Sequence, residues 1–224
     1  MKIRNIWYKP SLRREEDSGR HRKVSWLELF YDLFFVVTIS QLAHVLIGEP
    51  DKDKVLGYIF MFLPVWWTWI GTTYYLERFE SDGLENRIFH FLLLFPVTGM
   101  AVSIHDGLGK TSFGLGLSYL AARGIITFLW LRAAVHDKQF RPTGVKYTAG
   151  FTISLLIITV SLFVDPPLRL ILWGIAFVTD MITPWFTLRE QSKLPRLSSS
   201  RLPERFGLLM LIVLGESEIG RAHV

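Results

Sequence analysis

Residues Trp26 to Ile47 read WLELFYDLFFVVTISQLAHVLI. As a helix rising about 1.5 Å per residue, this stretch is long enough to cross roughly 30 Å of hydrocarbon. It nevertheless carries two carboxylates, Glu28 and Asp32. Their i, i+4 spacing puts both on one face, one turn apart. A carboxylate at the centre of a span costs on the order of 2.5–3.5 kcal/mol on insertion scales, and less in the first turns. The pair therefore predicts a spanning helix whose polar face meets a partner inside a bundle and does not face lipid.

The rest of the chain supports a membrane reading. Half of its 224 residues are apolar, with 8 Trp and 17 Phe, and the mean hydropathy is +0.30. A soluble domain of this length carries more charge and fewer long apolar runs. The net charge of +5 comes from cations placed in loops between apolar runs. That is a topology signal and argues against nucleic acid as a partner; the lipid bilayer is the expected one. The absence of Cys excludes disulfides, thiolate metal sites and cysteine nucleophiles. The first 23 residues lack the apolar core of a cleavable signal, so the first span is expected to serve as its own insertion signal.

The expected fold is all-α, a polytopic transmembrane helix bundle with six full spans and the start of a seventh. The spans are predicted near 26–47, 55–76, 88–105, 112–135, 147–164 and 168–188, then from 203 onward. Every break carries charge or turn residues, as in GEPDKDK, ERFESDGLEN and HDKQFRPTG. No internal repeat is evident. Residues 1–25 read as a basic cytoplasmic segment and 26–217 as the transmembrane domain. The closing EIGRAHV, Glu218 to Val224, is what a common short-read sequencing adapter encodes, so the natural sequence is expected to diverge after about Ser217. Eight Lys and Arg precede Trp26, and alternate loops hold the rest of a bias of eighteen cations against four. This predicts a multi-pass protein of the cell inner membrane with a cytoplasmic N-terminus.

Several polar residues fall inside the spans. Arg123 and Asp180 lie near the middle of the fourth and sixth, which enter from the same side, so they sit at similar depth. Pairing is the obvious remedy for two such charges. A bundle-locking ion pair and a substrate or proton site are both open readings. Arg205, at the cytoplasmic edge of the seventh span, is the best partner for Glu28 and Asp32, with anchoring the expected role. Glu216 lies about three turns deeper than Arg205, on the same side. His44 is expected to be a packing residue; His105 and Asp106 lie in an outer loop and could approach it. Pro64, Pro96 and Pro184 are expected to be packing kinks, and Trp66, Trp67 and Trp69 to pack between helices. GLGKTS is not a phosphate loop, because Ile104 stands where the pattern needs glycine. No metal-ligand or cofactor spacing stands out.

With those residues in view, the chain resembles the bacterial low temperature requirement A family of polytopic membrane proteins. The resemblance rests on VSWLELFYDLFFVVTISQLAH at Val24 to His44, WWTWIGTTYY at Trp66 to Tyr75, and PERFGLLMLIVLGES at Pro203 to Ser217. Family members continue past the Gly-Glu-Ser motif with further spans, which implies that this chain is truncated. The family name implies a link to growth in the cold and supplies no reaction or catalytic set. The intramembrane charges make a transporter or proton-coupled membrane protein the leading expectation. The alternative is a non-transporting component that senses or supports the bilayer, with the charges as structural locks. A lipid-modifying enzyme is not expected, since no nucleophile–base or metal constellation has the spacing for it.

Overall fold

The structure is a computed structural model that describes residues 9–13, 26–46, 51–80, 83–195 and 201–222, with backbone alone for residues 80, 201 and 216–222. Most of the basic segment 1–25, the loop at 196–200 and the last two tail residues lie outside the described residues. So does the side chain of Glu216, although its backbone belongs to the last helix.

Among the described residues, seven long helices and one short one form the bundle: α1 Trp26–Ala43, α2 Lys52–Arg78, α3 Leu84–Ser103, α4 Ser112–His136, α5 Arg141–Ser161, α6 Leu168–Ile182, α7 Leu188–Gln191 and α8 Arg201–Ala222. Six stretches among the described residues are long and apolar enough to cross a membrane: Trp26–Leu46, Lys52–Arg78, Leu84–Asp106, Ser112–His136, Arg141–Ser161 and Leu168–Gln191. A two-residue antiparallel pairing joins β1, Ser11–Leu12, to β2, Phe79–Glu80.

Helix ends differ from the expected spans where polar residues cap or extend a helix. The second starts at Lys52, not 55, because Asp51 accepts a hydrogen bond from Lys54 N at 2.8 Å. The third starts at Leu84, not 88, and so brings Glu85 and Asn86 into the bundle, both buried. The fifth starts at Arg141, not 147. Pro142 suits the first turn, and Asp137 Oδ1 accepts from Phe140 N at 3.0 Å ahead of it.

The prolines act differently from one another. Pro64 and Pro96 lie inside continuous helices. Pro184 ends α6, and Thr183–Thr187 continues as a 3₁₀ turn into α7. Its carbonyl accepts from Thr187 Oγ1 at 2.8 Å and Gln191 Nε2 at 2.9 Å, so the break leaves that polar group satisfied.

Lipid tails are as apolar as leucine, so close packing and polar contacts hold such helices together. Tyr31, Phe35, Ile39 and Leu42 are buried on one face of α1, while Leu29, Phe30, Leu33 and Val37 point outward. Ser154 Oγ donates to Ala176 O at 2.9 Å between α5 and α6. Arg169 Nε donates to Ser161 O and Val164 O at 3.3 and 2.9 Å, placing a cation at the C-terminal end of α5. Its Nη1 donates to Ser112 Oγ at 2.7 Å and ties in the start of α4.

Candidate functional site

The middle of the bundle holds an ion pair. Arg123 on α4 and Asp180 on α6 are both buried, and Arg123 Nε lies 2.8 Å from Asp180 Oδ2. Tyr119, one turn before Arg123, donates to the same oxygen at 3.0 Å. The Arg123 guanidinium lies over the Phe151 ring, 4.5 Å from its centroid. Gly71 makes room for it: a Cβ there would be 3.0 Å from Arg123 Nη1. Asp180 Oδ1 and Arg123 Nη2 are buried with no hydrogen-bond partner among the described residues. Loss of either partner would leave a charge in this low-dielectric interior.

Two cavities flank this group. Tyr119 stands on the wall of a small apolar one of about 50 Å³, beside Phe60, Leu63 and Trp173. Phe60 and Leu63 also line an open groove that reaches Asp53 at the start of α2. Arg123 stands on the wall of a larger cavity of about 450 Å³. Its walls are mainly aromatic, including Trp66, Trp67, Tyr74 and Phe151, and Arg78 and Gln191 also line it.

A second polar centre joins α1, α2 and α8. Arg205 Nη2 lies 3.4 Å from Asp32 Oδ1, and Arg205 Nη1 lies 3.8 Å from Glu28 Oε2. Trp69 Nε1 donates to Asp32 Oδ1 at 2.7 Å. None of the three charged residues lines either of the cavities beside the Arg123 pair. Of the three tryptophans expected to pack between helices, Trp69 is fully buried and doubles as a donor, and Trp66 and Trp67 are half-buried on the cavity wall.

His44 is exposed in a 3₁₀ turn after α1, and His105 is exposed as well. Asp106 Oδ2 accepts from Lys110 N at 3.0 Å and shapes the turn before α4. No group of three His, Asp or Glu among the described residues is placed to hold a metal.

The bacterial low temperature requirement A protein (LtrA) family matches residues 23–222. The chain belongs to the LtrA family. It is also 27% identical over 215 residues to an uncharacterized protein of Rhizobium meliloti (strain 1021), covering 91% of this chain and 51% of that protein. The chain thus spans about half the length of the curated relative it matches. No solved structure matches it.

In this LtrA-family chain, the three stretches that carry the resemblance converge on Asp32. It belongs to the first, its indole donor Trp69 to the second, and Arg205 to the third. Sequence reasoning missed other buried polar residues. Arg132 Nη2 lies 3.5 Å from Glu85 Oε1, both buried, and His90 Nδ1 lies 2.6 Å from Asn86 O. The signal was the i, i+4 spacing of Asn86 and His90, which share a face once α3 is started four residues earlier, with Glu85 one residue before them.

Proposed function

We propose that this LtrA-family protein is a transporter or proton-coupled membrane protein, and that the Tyr119–Asp180–Arg123 group lies on the solute or proton route. One observation carries the reading: Tyr119 lines one cavity, Arg123 lines another, and Asp180 joins the two side chains. Intramembrane ionisable groups facing cavities mark transport pathways in general. The setting we propose is the cell inner membrane with the N-terminus cytoplasmic, the lipid bilayer as partner, no nucleic acid, no enzymatic reaction and a role in growth in the cold. The test is flux. The full-length protein, reconstituted in liposomes under an imposed pH gradient, is expected to dissipate it faster than protein-free liposomes when small organic ions are supplied. Equal rates across such a panel contradict transport.

A second reading has its own support. Arg205 with Glu28 and Asp32, and Arg132 with Glu85, tie helices together without lining those cavities. They fit a non-transporting protein that supports the bilayer, with the charges as locks. Normal growth in the cold after charge removal at Arg123 and Asp180 favours that reading.

A further inference from the structure

The larger cavity has a definite chemical character. Its volume of about 450 Å³ falls in the range of small-molecule sites. Among the described residues that line it, the charged ones are Arg78 and Arg123, both cationic, and none is a carboxylate. Asp180 offsets Arg123, so among the described residues Arg78 leaves the cavity lining with a net positive charge. Arg78 Nη1 donates to Pro195 O at 2.8 Å, which holds its guanidinium in place at the last turn of α2. Arg123 lines the cavity with its guanidinium packed beside Gly71, and its Nη2 is buried with no hydrogen-bond partner among the described residues. The tryptophan and tyrosine walls offer wide apolar contact, and a cation there would face two guanidiniums.

We propose that this cavity binds an organic anion, a molecule with one carboxylate or phosphate and a compact apolar body. Arg123 holds the anionic group and the aromatic walls hold the body. Guanidinium groups form strong charge-assisted bonds to both oxyanions. This inference deepens the transport reading by naming a substrate class. The same chemistry has two sources: a soluble organic acid or the headgroup of an anionic lipid.

The test uses full-length protein in nanodiscs of phosphatidylcholine and reads tryptophan fluorescence, since Trp66, Trp67 and Trp130 line the cavity. Cyclohexanecarboxylate is titrated against cyclohexylmethylamine and cyclohexylmethanol, which share its body. A saturable change with the carboxylate, at least tenfold tighter than with the amine or alcohol, is the expected result. Arg78→Gln should weaken it several-fold, and because the charge series is read in the unaltered protein, a folding defect in that variant does not decide the matter. Repeating the titration in discs containing phosphatidylglycerol separates the sources. A weakened carboxylate response there identifies the lipid headgroup, and an unchanged one identifies a soluble acid. A response to the amine as strong as to the carboxylate, or no response to the carboxylate in discs of either composition, overturns the proposal. Carboxylate binding without flux would contradict transport and leave the site standing. Flux of cations without carboxylate binding would contradict the site and leave transport standing.

Discussion

Arg205 on α8 reaches Asp32 on α1 at 3.4 Å, across 173 residues of sequence. The carboxylate it meets already accepts from Trp69 at 2.7 Å, and Phe206 packs edge-on against that indole with ring centroids 4.9 Å apart. Three helices are therefore held at one point by one carboxylate.

That arrangement sets an order of effects on stability. Arg205→Ala removes the cation that faces both carboxylates and is expected to cost roughly 3–5 kcal/mol, as removal of one partner of a buried pair does. Asp32→Asn keeps an acceptor for Trp69 and should cost less, about 1–3 kcal/mol. Glu28→Gln, at 3.8 Å, should cost least. Thermal unfolding of the full-length variants in detergent checks the order, and a Glu28 variant less stable than the Arg205 variant would break it.

The Arg123–Asp180 pair predicts a thermodynamic cycle. Arg123→Ala or Asp180→Ala alone leaves a buried charge, again at roughly 3–5 kcal/mol. Removing both should be milder than the sum of the two. Folded yield and unfolding temperature of the three variants give the coupling, and simple additivity would mean that the pair does not act as one.

Close helix contact predicts contrasting glycine effects. A Cβ at Gly116 would lie 2.7 Å from Trp173, whose indole is fixed by a 2.9 Å bond to Ser161 Oγ. Gly116→Ala should destabilise by about 1–3 kcal/mol through overpacking. At Gly124 nothing lies within 4 Å of the added carbon. Gly124→Ala should be neutral or stabilise by up to about 1 kcal/mol through helix propensity. Equal unfolding temperatures for the two variants would contradict the packing described.

The proposed orientation in the membrane predicts which end of the bundle is accessible from outside. Ser11–Leu12 pairs with Phe79–Glu80, Leu12 N donates to Asp137 at 3.0 Å, and Arg78 reaches Pro195, so these segments share one end. That end carries most of the loop cations. Cysteine at Ser11 or Lys138 should be shielded from an impermeant thiol reagent in intact cells, and cysteine at Asp51 should react. The chain has no native Cys to confuse the readout. Labelling of Lys138→Cys from outside would reverse the orientation.

Much of this was legible in the sequence, for physical reasons. Apolar runs long enough to span a bilayer mark six helices, and charges inside them demand partners, which depth alone narrows to Arg123 with Asp180 and Arg205 with Glu28 and Asp32. Glu85, Asn86 and His90 were not legible as a buried set. Polar residues at a helix start look like loop when the boundary is drawn from hydropathy, and Arg132 then has no visible partner. Trp69 looked like packing because an indole in an apolar run gives no sign that its N–H is used. The cavity was invisible, since its walls come from α2, α4, α5, α7 and α8 and from the Pro184 break, which local pattern does not bring together.

The central claim is that Arg123 and Asp180 do the work while Arg205 and Asp32 lock the bundle. The direct measurement is ion flux in liposomes for two charge-neutral double variants of the full-length protein, Arg123→Gln/Asp180→Asn and Arg205→Gln/Asp32→Asn, at matched amounts of folded protein. The first is expected to lose flux and the second to retain it with a lowered unfolding temperature. Flux that survives in the first variant and vanishes in the second would contradict the account.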